Sequence, residues 1–285
     1  MPRGVVPRRP AKSGLHEGLR NKAARVASVR DKVSSAERRQ KPLGKRLQST
    51  PTKATRANKS YNPTAPERVA DILKRLDELY PDVTCALTHR NPWELLVATI
   101  LSAQSTDVRV NMVTPQLFRK YPTVQDFARL EPEQLEPDIR STGFFRNKSK
   151  SVVGAAKKVV NDFGGRVPDT MPELLTLPGV ARKTANVVLG TWFHKAEGVV
   201  VDTHVHRISR RLELTKNNEP KKIEEDLMRV VPREKWILFS HQVIWHGRKL
   251  CLARSPKCAD CLLENICHAE DKTWSTVEKH AGAKA

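Results

Sequence analysis

The chain has 285 residues, with 51 Lys and Arg against 31 Asp and Glu, a net charge of +20 and a pI near 10.0. That length suffices for one large or two modest domains with a core, and the charge speaks for polyanionic partners, chiefly nucleic acid, not for any particular fold. No run approaches the ~18–20 consecutive apolar residues of a membrane span, and the Arg-rich N-terminus lacks the apolar centre of a secretory signal.

Residues 1–60 stand apart in composition. They hold 17 Lys and Arg against Glu17, Asp31 and Glu37, a net +14, which leaves +6 for the remaining 225 residues. The segment has no aromatic residue and few large aliphatics, so it can bury too little surface to offset its ordering entropy. A disordered basic tail is expected here. Its functional reading is an arm on DNA; the alternatives are a solvated tail or a targeting sequence.

From Thr64 the pattern turns helical. Val69, Ile72, Leu73, Leu76, Leu79 and Tyr80 recur at helical spacing, and Pro66 suits a first turn. Asn91-Pro92-Trp93-Glu94 reads as an N-cap, a first-turn proline and a capping-box acid. The run LLVATILSA that follows is apolar on every side and predicts a fully buried helix. A second capping box, Thr170-Met171-Pro172-Glu173, opens a short helix through Leu174, Leu175 and Leu177. Helical patterns also cover Ile223–Val231 and Trp236–His246. Only Val199–Val201 looks extended, and three residues do not make a sheet. The class expected is all-α, without internal repeats.

Within LLTLPGVARKTANVVLG, a Pro178-Gly179 turn separates two helical stretches. Such a hairpin aims the backbone N–H groups of the turn and of the new helix at a phosphate. Lys183 falls in the first turn of the second helix, and Asp202 follows 19 residues later in VVVDTHVHR. Taken alone, Lys183 is a phosphate-binding lysine and Asp202 the N-cap of a helix starting near Thr203.

Five cysteines occur, and four lie in CLARSPKCADCLLENIC, spaced Cys-x6-Cys-x2-Cys-x5-Cys. An odd, clustered set argues against a disulfide scaffold and for a metal or cluster site in a reducing compartment. Four thiolates within 17 residues suit either a structural zinc or one cubane iron–sulfur cluster. Cys85 stands apart and reads as a small buried hydrophobe. Arg254 and Lys257 flank Pro256 inside the loop, and Arg248 and Lys249 precede it, an arrangement suited to phosphate contact.

The hairpin, the Gly/Pro…Asp pattern and the cysteine spacing together resemble the endonuclease III family of base-excision DNA glycosylases. The resemblance spans about residues 64–270 and includes SAQSTD, STGFFRNKS, LPGVARKTANVVLG and VDTHVHR. It implies a six-helix barrel over 85–195, with the helix–hairpin–helix at 171–190. It also implies a helical iron–sulfur domain from 61–84 and 196–275, followed by a C-terminal tail at 276–285. DNA would lie across the cleft between the two parts.

The same resemblance assigns Lys183 as nucleophile and Asp202 as the essential carboxylate. It makes Cys251, Cys258, Cys261 and Cys267 the ligands of a [4Fe-4S] cluster, the loop serving structure and DNA contact. Gln104 enters the space left by the extruded base, and Phe144 takes the wedge position with Phe145 as neighbouring competitor. Pro178, Gly179, Val180, Ala181, Arg182, Arg254 and Lys257 are the expected contacts to DNA. His204 and His206 are expected to be structural or phosphate-facing. The implied activity is release of oxidised pyrimidines such as thymine glycol, then strand cleavage 3′ to the abasic site. The partner is double-stranded DNA, bound by a monomer in the bacterial cytoplasm, or in the nucleus or mitochondrion of a eukaryote.

The chemistry is consistent with those residues. An amine attacking C1′ displaces the base and leaves an iminium, which acidifies the C2′ proton so that the 3′ phosphate departs. The positive end of the helix and neighbouring Arg182 both disfavour the ammonium form. Ala181 stands where the family's usual LPGVGRK has its second glycine, which puts hairpin geometry or DNA affinity there in question. Two alternatives stand beside this reading. An adenine mismatch glycosylase of the same superfamily is disfavoured by Lys183 and by the chain's end soon after Cys267. A non-catalytic hairpin DNA-binding protein is disfavoured by Lys183 and Asp202 occurring together.

Overall fold

The computed structural model describes residues 61–273; the basic tail expected at 1–60 and the C-terminal tail expected at 276–285 lie outside the described residues. The described residues form α-helices joined by short turns, with no strand among them. Val199–Val201 forms neither helix nor strand. No described helix is long and apolar enough to cross a membrane.

The helices follow in order as α1 Pro66–Leu79, α2 Pro92–Leu101, α3 Asp107–Lys120, α4 Val124–Ala128, α5 Pro132–Ile139 and α6 Phe145–Phe163. Then come α7 Met171–Leu174, α8 Arg182–Thr191, α9 Thr203–Arg211, α10 Pro220–Val230 and α11 Trp236–Lys249. A 3-10 turn at Arg140–Thr142 precedes α6, and two more shape the cysteine loop.

Two cores divide the chain. The first gathers apolar side chains from Leu87 to Leu189 around α2, whose residues Trp93–Leu101 are all buried. Each fully buried leucine or valine there contributes about 1.5–3 kcal/mol relative to exposure. Phe127 anchors one end, with Trp93 and Tyr121 rings 5.4 Å from it in tilted and edge-on contact. The second core joins Val69, Ile72, Leu73 and Leu76 of α1 to α9, α10 and α11. The N-terminal helix thus packs with the far end of the chain.

Local chemistry sets the helix ends. Asn91 accepts from the Glu94 N–H at 2.9 Å, as its position before Pro92 predicts. The Glu94 carboxylate, however, reaches past the cap to the Arg90 N–H at 2.8 Å and to its guanidinium. The box expected at Thr170 also takes another form. Its hydroxyl bonds the Glu173 carboxylate directly at 2.5 Å, and no side-chain cap of the helix results. Helix α6 stops where Gly164 adopts φ +60°, which lets the Gly165 N–H return to Val159 O at 2.9 Å.

Candidate active site

The hairpin between α7 and α8 is seated on α6. Gly179 has φ +76°, and a Cβ there would fall 2.5 Å from Ser151 Cβ, so both conformation and space demand glycine. Pro178 packs on Gly154 one turn further along α6. Val180 secures the turn: its side chain is buried in the first core and its N–H bonds Leu177 O at 3.2 Å. Ala181 is the N-cap of α8 at φ −93°, ψ 168°, an extended conformation alanine adopts without strain. The glycine-requiring position of this hairpin is therefore 179 and not 181.

Ala181 supplies no side-chain cap, so the first N–H groups of α8 are left without an intrahelical partner. They face an exposed surface, since Ala181, Arg182 and Lys183 are all exposed. An uncapped helix start carrying a lysine is an anion site by geometry. Arg182 itself is engaged elsewhere: its Nε donates to Glu224 Oε2 at 2.9 Å and its Nη2 to Glu197 O at 3.4 Å. Its charge is matched by a carboxylate on α10 instead of being turned toward Lys183. Lys183 makes no hydrogen bond or ion pair among the described residues.

Asp202 is the N-cap of α9. Its Oδ1 accepts from the N–H groups of His204 and Val205, each at 2.8 Å. The capping role and a catalytic role are compatible here, because Oδ2 takes no bond from a described residue and Asp202 is only half-buried. Lys183 and Asp202 thus occupy the first turns of successive helices. His204 packs against Gly247 and Arg207, and His206 Nε2 contacts Asn218 O at 3.0 Å.

Backbone strain marks the next two candidates. Five non-glycine residues among those described have left-handed φ: Gln104 (+54°), Phe144 (+49°), His194, Glu213 and Ser255. Such conformations cost roughly 1–2 kcal/mol each for an L-residue and are retained where the surroundings impose them. Gln104 is exposed in the loop between α2 and α3, and Phe144 is 63% exposed at the start of α6. Phe145 instead turns inward onto the first core and lies under the guanidinium groups of Arg140 and Arg146. Of the two phenylalanines, Phe144 is the one that projects.

Cys251, Cys258, Cys261 and Cys267 line a single cavity, and none forms a disulfide. Arg254 and Lys257 are exposed on the same loop, on either side of Ser255 in its left-handed turn and of buried Pro256. Arg248 is not free, since it pairs with Asp107 at the start of α3. Lys249 lies over the Trp245 ring. Cys85 packs half-buried against the first core, and burial raises its thiol pKa.

A model of the HhH-GPD superfamily of base excision DNA repair proteins matches residues 97–233. The endonuclease III of Synechocystis sp. is 54% identical over 201 residues, which is 70% of this chain and 92% of that protein. The chain belongs to the endonuclease III family. The Bacillus subtilis endonuclease III is 43% identical, over 72% of this chain and 94% of its own. Among solved structures, a trapped endonuclease III–DNA covalent intermediate superposes with a TM-score of 0.69 at 41% identity, covering 72% of this chain and 96% of that one.

The cysteine loop presents four free thiols to one cavity, a soft donor set that fits a sulfur-ligated metal centre. A zinc site needs its sulfurs about 2.3 Å from one point. Here the four cysteines line one cavity. A multi-iron core takes each thiolate at its own corner. Burial pushes the Cys261 thiol up to about 12 and raises those of Cys251 and Cys267. Any metal centre bound here, zinc or iron–sulfur, would have to displace those protons.

Several residues around this loop escaped the sequence reading. Arg211 is buried, and its Nη1 donates to Cys251 Sγ at 3.1 Å and Leu252 O at 2.7 Å while also pairing with Asp271. His246 is buried and its imidazole is pushed down to about 4 by burial, so it is neutral near pH 7. Tyr80 Oη lies 3.2 Å from its Nδ1, and with Tyr80 as donor its Nε2–H points to Cys261 Sγ at 3.6 Å. Arg207, one turn before Arg211, donates to Cys251 O at 2.9 Å. The helix that Asp202 caps therefore carries the loop on its opposite end. The cue available in sequence was the i, i+4 pair of arginines within VDTHVHRISRR.

Proposed function

We propose that this protein is a base-excision-repair DNA glycosylase/AP lyase that releases oxidised pyrimidines and cleaves 3′ to the resulting abasic site. The observation that carries the reading is the exposed Lys183 amine in the first turn of the uncapped hairpin helix, in a chain of the endonuclease III family. The hairpin N–H groups bind phosphate and bring a nucleotide sugar to that amine.

The neutral Lys183 amine attacks C1′; the C1′–N bond breaks and the base leaves with the electron pair and a proton. Ring opening gives an iminium at C1′. Loss of the C2′ proton then expels the 3′ phosphate as the C3′–O bond breaks. Asp202 Oδ2 lies free to stabilise the cationic sugar and to carry protons, while Oδ1 keeps the carboxylate oriented through the α9 cap. Gln104 and Phe144 fill the stack when the target nucleotide turns out. An amide and an apolar ring suit that task, and their strained loops present both to solvent.

A [4Fe-4S] cluster held by Cys251, Cys258, Cys261 and Cys267 would supply rigidity to the loop that offers Arg254 and Lys257 to the phosphate backbone. Arg211 donates to the Cys251 sulfur and offsets its negative charge, and His246 Nε2 lies 3.6 Å from the Cys261 sulfur. Double-stranded DNA is the partner, and the chain acts as a monomer, with the two cores on either side of the bound duplex.

The test is cleavage of duplexes carrying single lesions. Thymine glycol and an abasic site should be cut, and adenine opposite 8-oxoguanine should not. Adenine release without strand cleavage would favour the mismatch glycosylase instead.

A further inference from the structure

We propose that Lys148 is a positioning residue that couples the Gln104 loop to the Phe144 loop, so that both enter the duplex as one unit. The proposal rests on the reading above that these two side chains fill the opened stack.

Lys148 lies on α6 and is only 4% exposed. Its Nζ donates to Leu101 O and to Thr142 O, each at 2.8 Å. Leu101 is the last residue of α2, so its carbonyl is one that the helix leaves without an internal partner. Three residues on stands Gln104. Thr142 closes the 3-10 turn, and Gly143 (φ +71°) and Phe144 follow directly. One ammonium therefore holds the roots of two separate strained loops, 41 residues apart in the chain between Leu101 and Thr142.

The chemistry of the position argues against a filler. No carboxylate pairs with Lys148 among the described residues, and burial lowers its pKa, so its charge is a cost that the fold carries. A methionine would occupy the same space more cheaply. What the ammonium adds is two simultaneous charge-assisted bonds, directed at two chain segments, with the negative end of α2 favouring the cation. Lys148 stands one turn along α6 from Phe144, and Ser151 and Gly154 carry the hairpin on the turns beyond. A single helix thereby sets wedge, glutamine loop and hairpin in register.

The test compares Lys148→Met and Lys148→Arg with wild type, circular dichroism first showing which variants fold. Borohydride trapping is then timed on two abasic-site substrates of one sequence, a paired duplex and a bubble with unpaired bases around the site. Without its two charge-assisted bonds, Lys148→Met should trap about tenfold or more slowly on the duplex and within about twofold of wild type on the bubble. Lys148→Arg keeps donors for both carbonyls and should fall between, and the duplex-to-bubble ratio of whichever variant folds is the readout. An unchanged ratio, whether from equal loss on both substrates or none on either, would overturn the proposal. Failure of both variants to fold would overturn it too, since the ammonium would then serve the fold and not the loops. A wild-type chain that traps on neither substrate would instead overturn the functional reading beneath it.

Discussion

Glu224 of α10 accepts a 2.9 Å hydrogen bond from Arg182, the residue immediately before Lys183. The same buried carboxylate accepts from Asn186 Nδ2 at 2.8 Å, one turn further along α8. Two successive turns of the hairpin helix are thus fastened to one acceptor in the other core. Gly198 passes close beneath, where a Cβ would meet Glu224 Oε1.

Removing that acceptor should loosen the hairpin. Glu224→Ala leaves the buried Asn186 amide without its acceptor and removes the carboxylate from Arg182, and should cost about 2 kcal/mol of stability in urea unfolding. Glu224→Gln retains an acceptor and should cost under about 1 kcal/mol. Trapping should slow more in the alanine variant than in the glutamine one. Equal midpoints for all three proteins would contradict the tie.

The strain at Phe144 and Gln104 sets function against stability. Phe144→Gly and Gln104→Gly remove a left-handed L-residue and should leave stability unchanged or raised by up to about 1 kcal/mol. Both should slow release of thymine glycol from duplex DNA. Phe145→Ala should do the reverse, lowering the melting temperature because its ring packs on the core. A drop in stability in both glycine variants would mean the two loops are not strained.

These contrasts show which parts of the molecule were legible in the sequence. Helix periodicity, the cysteine spacing and the hairpin motif are local patterns, each contained in fewer than twenty residues. The all-α class, the buried α2 and the inward face of α1 follow from them. The long-range partners do not. Arg182 finds Glu224 at 42 residues, Arg211 finds Cys251 at 40, and Lys148 finds Leu101 at 47. No periodicity reports a charge pairing across two cores. Backbone sign was equally hidden, because glutamine and phenylalanine seldom adopt positive φ and nothing in their identity signals it. The resemblance put Phe144 in the wedge position, and the structure adds that Phe144 is exposed while Phe145 packs on the core. The sequence reading of Arg182 as a DNA contact could not show that its guanidinium bonds Glu224 and Glu197 O.

The cysteine loop makes its own prediction. Purified protein should be brown with broad visible absorption and about four irons per chain, the number in one cubane cluster. Arg211→Met removes the donor to Cys251 Sγ and should lower iron content and speed bleaching, since changes around a metal site typically cost about 10–100-fold in affinity. Stoichiometric zinc without iron after anaerobic purification would contradict the assignment.

We propose that the basic segment 1–60 bears on affinity and not on chemistry. Deleting its net +14 should leave single-turnover cleavage intact at saturating enzyme while weakening non-specific binding. The plot of log K against log salt should flatten by about 0.9 for each phosphate that the segment no longer neutralises. An unchanged slope would mean the segment does not touch DNA.

The most direct measurement of the central claim is borohydride trapping on abasic-site DNA by Lys183 variants. If the Lys183 amine attacks C1′, wild type should be welded to the DNA. Lys183→Ala should form no adduct and cut no strand while keeping most of its binding. Lys183→Arg should fail as well, because a guanidinium stays protonated. Asp202→Asn should slow base release severely yet still bind an abasic site. Lys148 is buried with its Nζ held by two carbonyls and is no substitute nucleophile. A Lys183→Ala protein that traps at the wild-type rate would contradict the account, and some other exposed amine would then be the nucleophile.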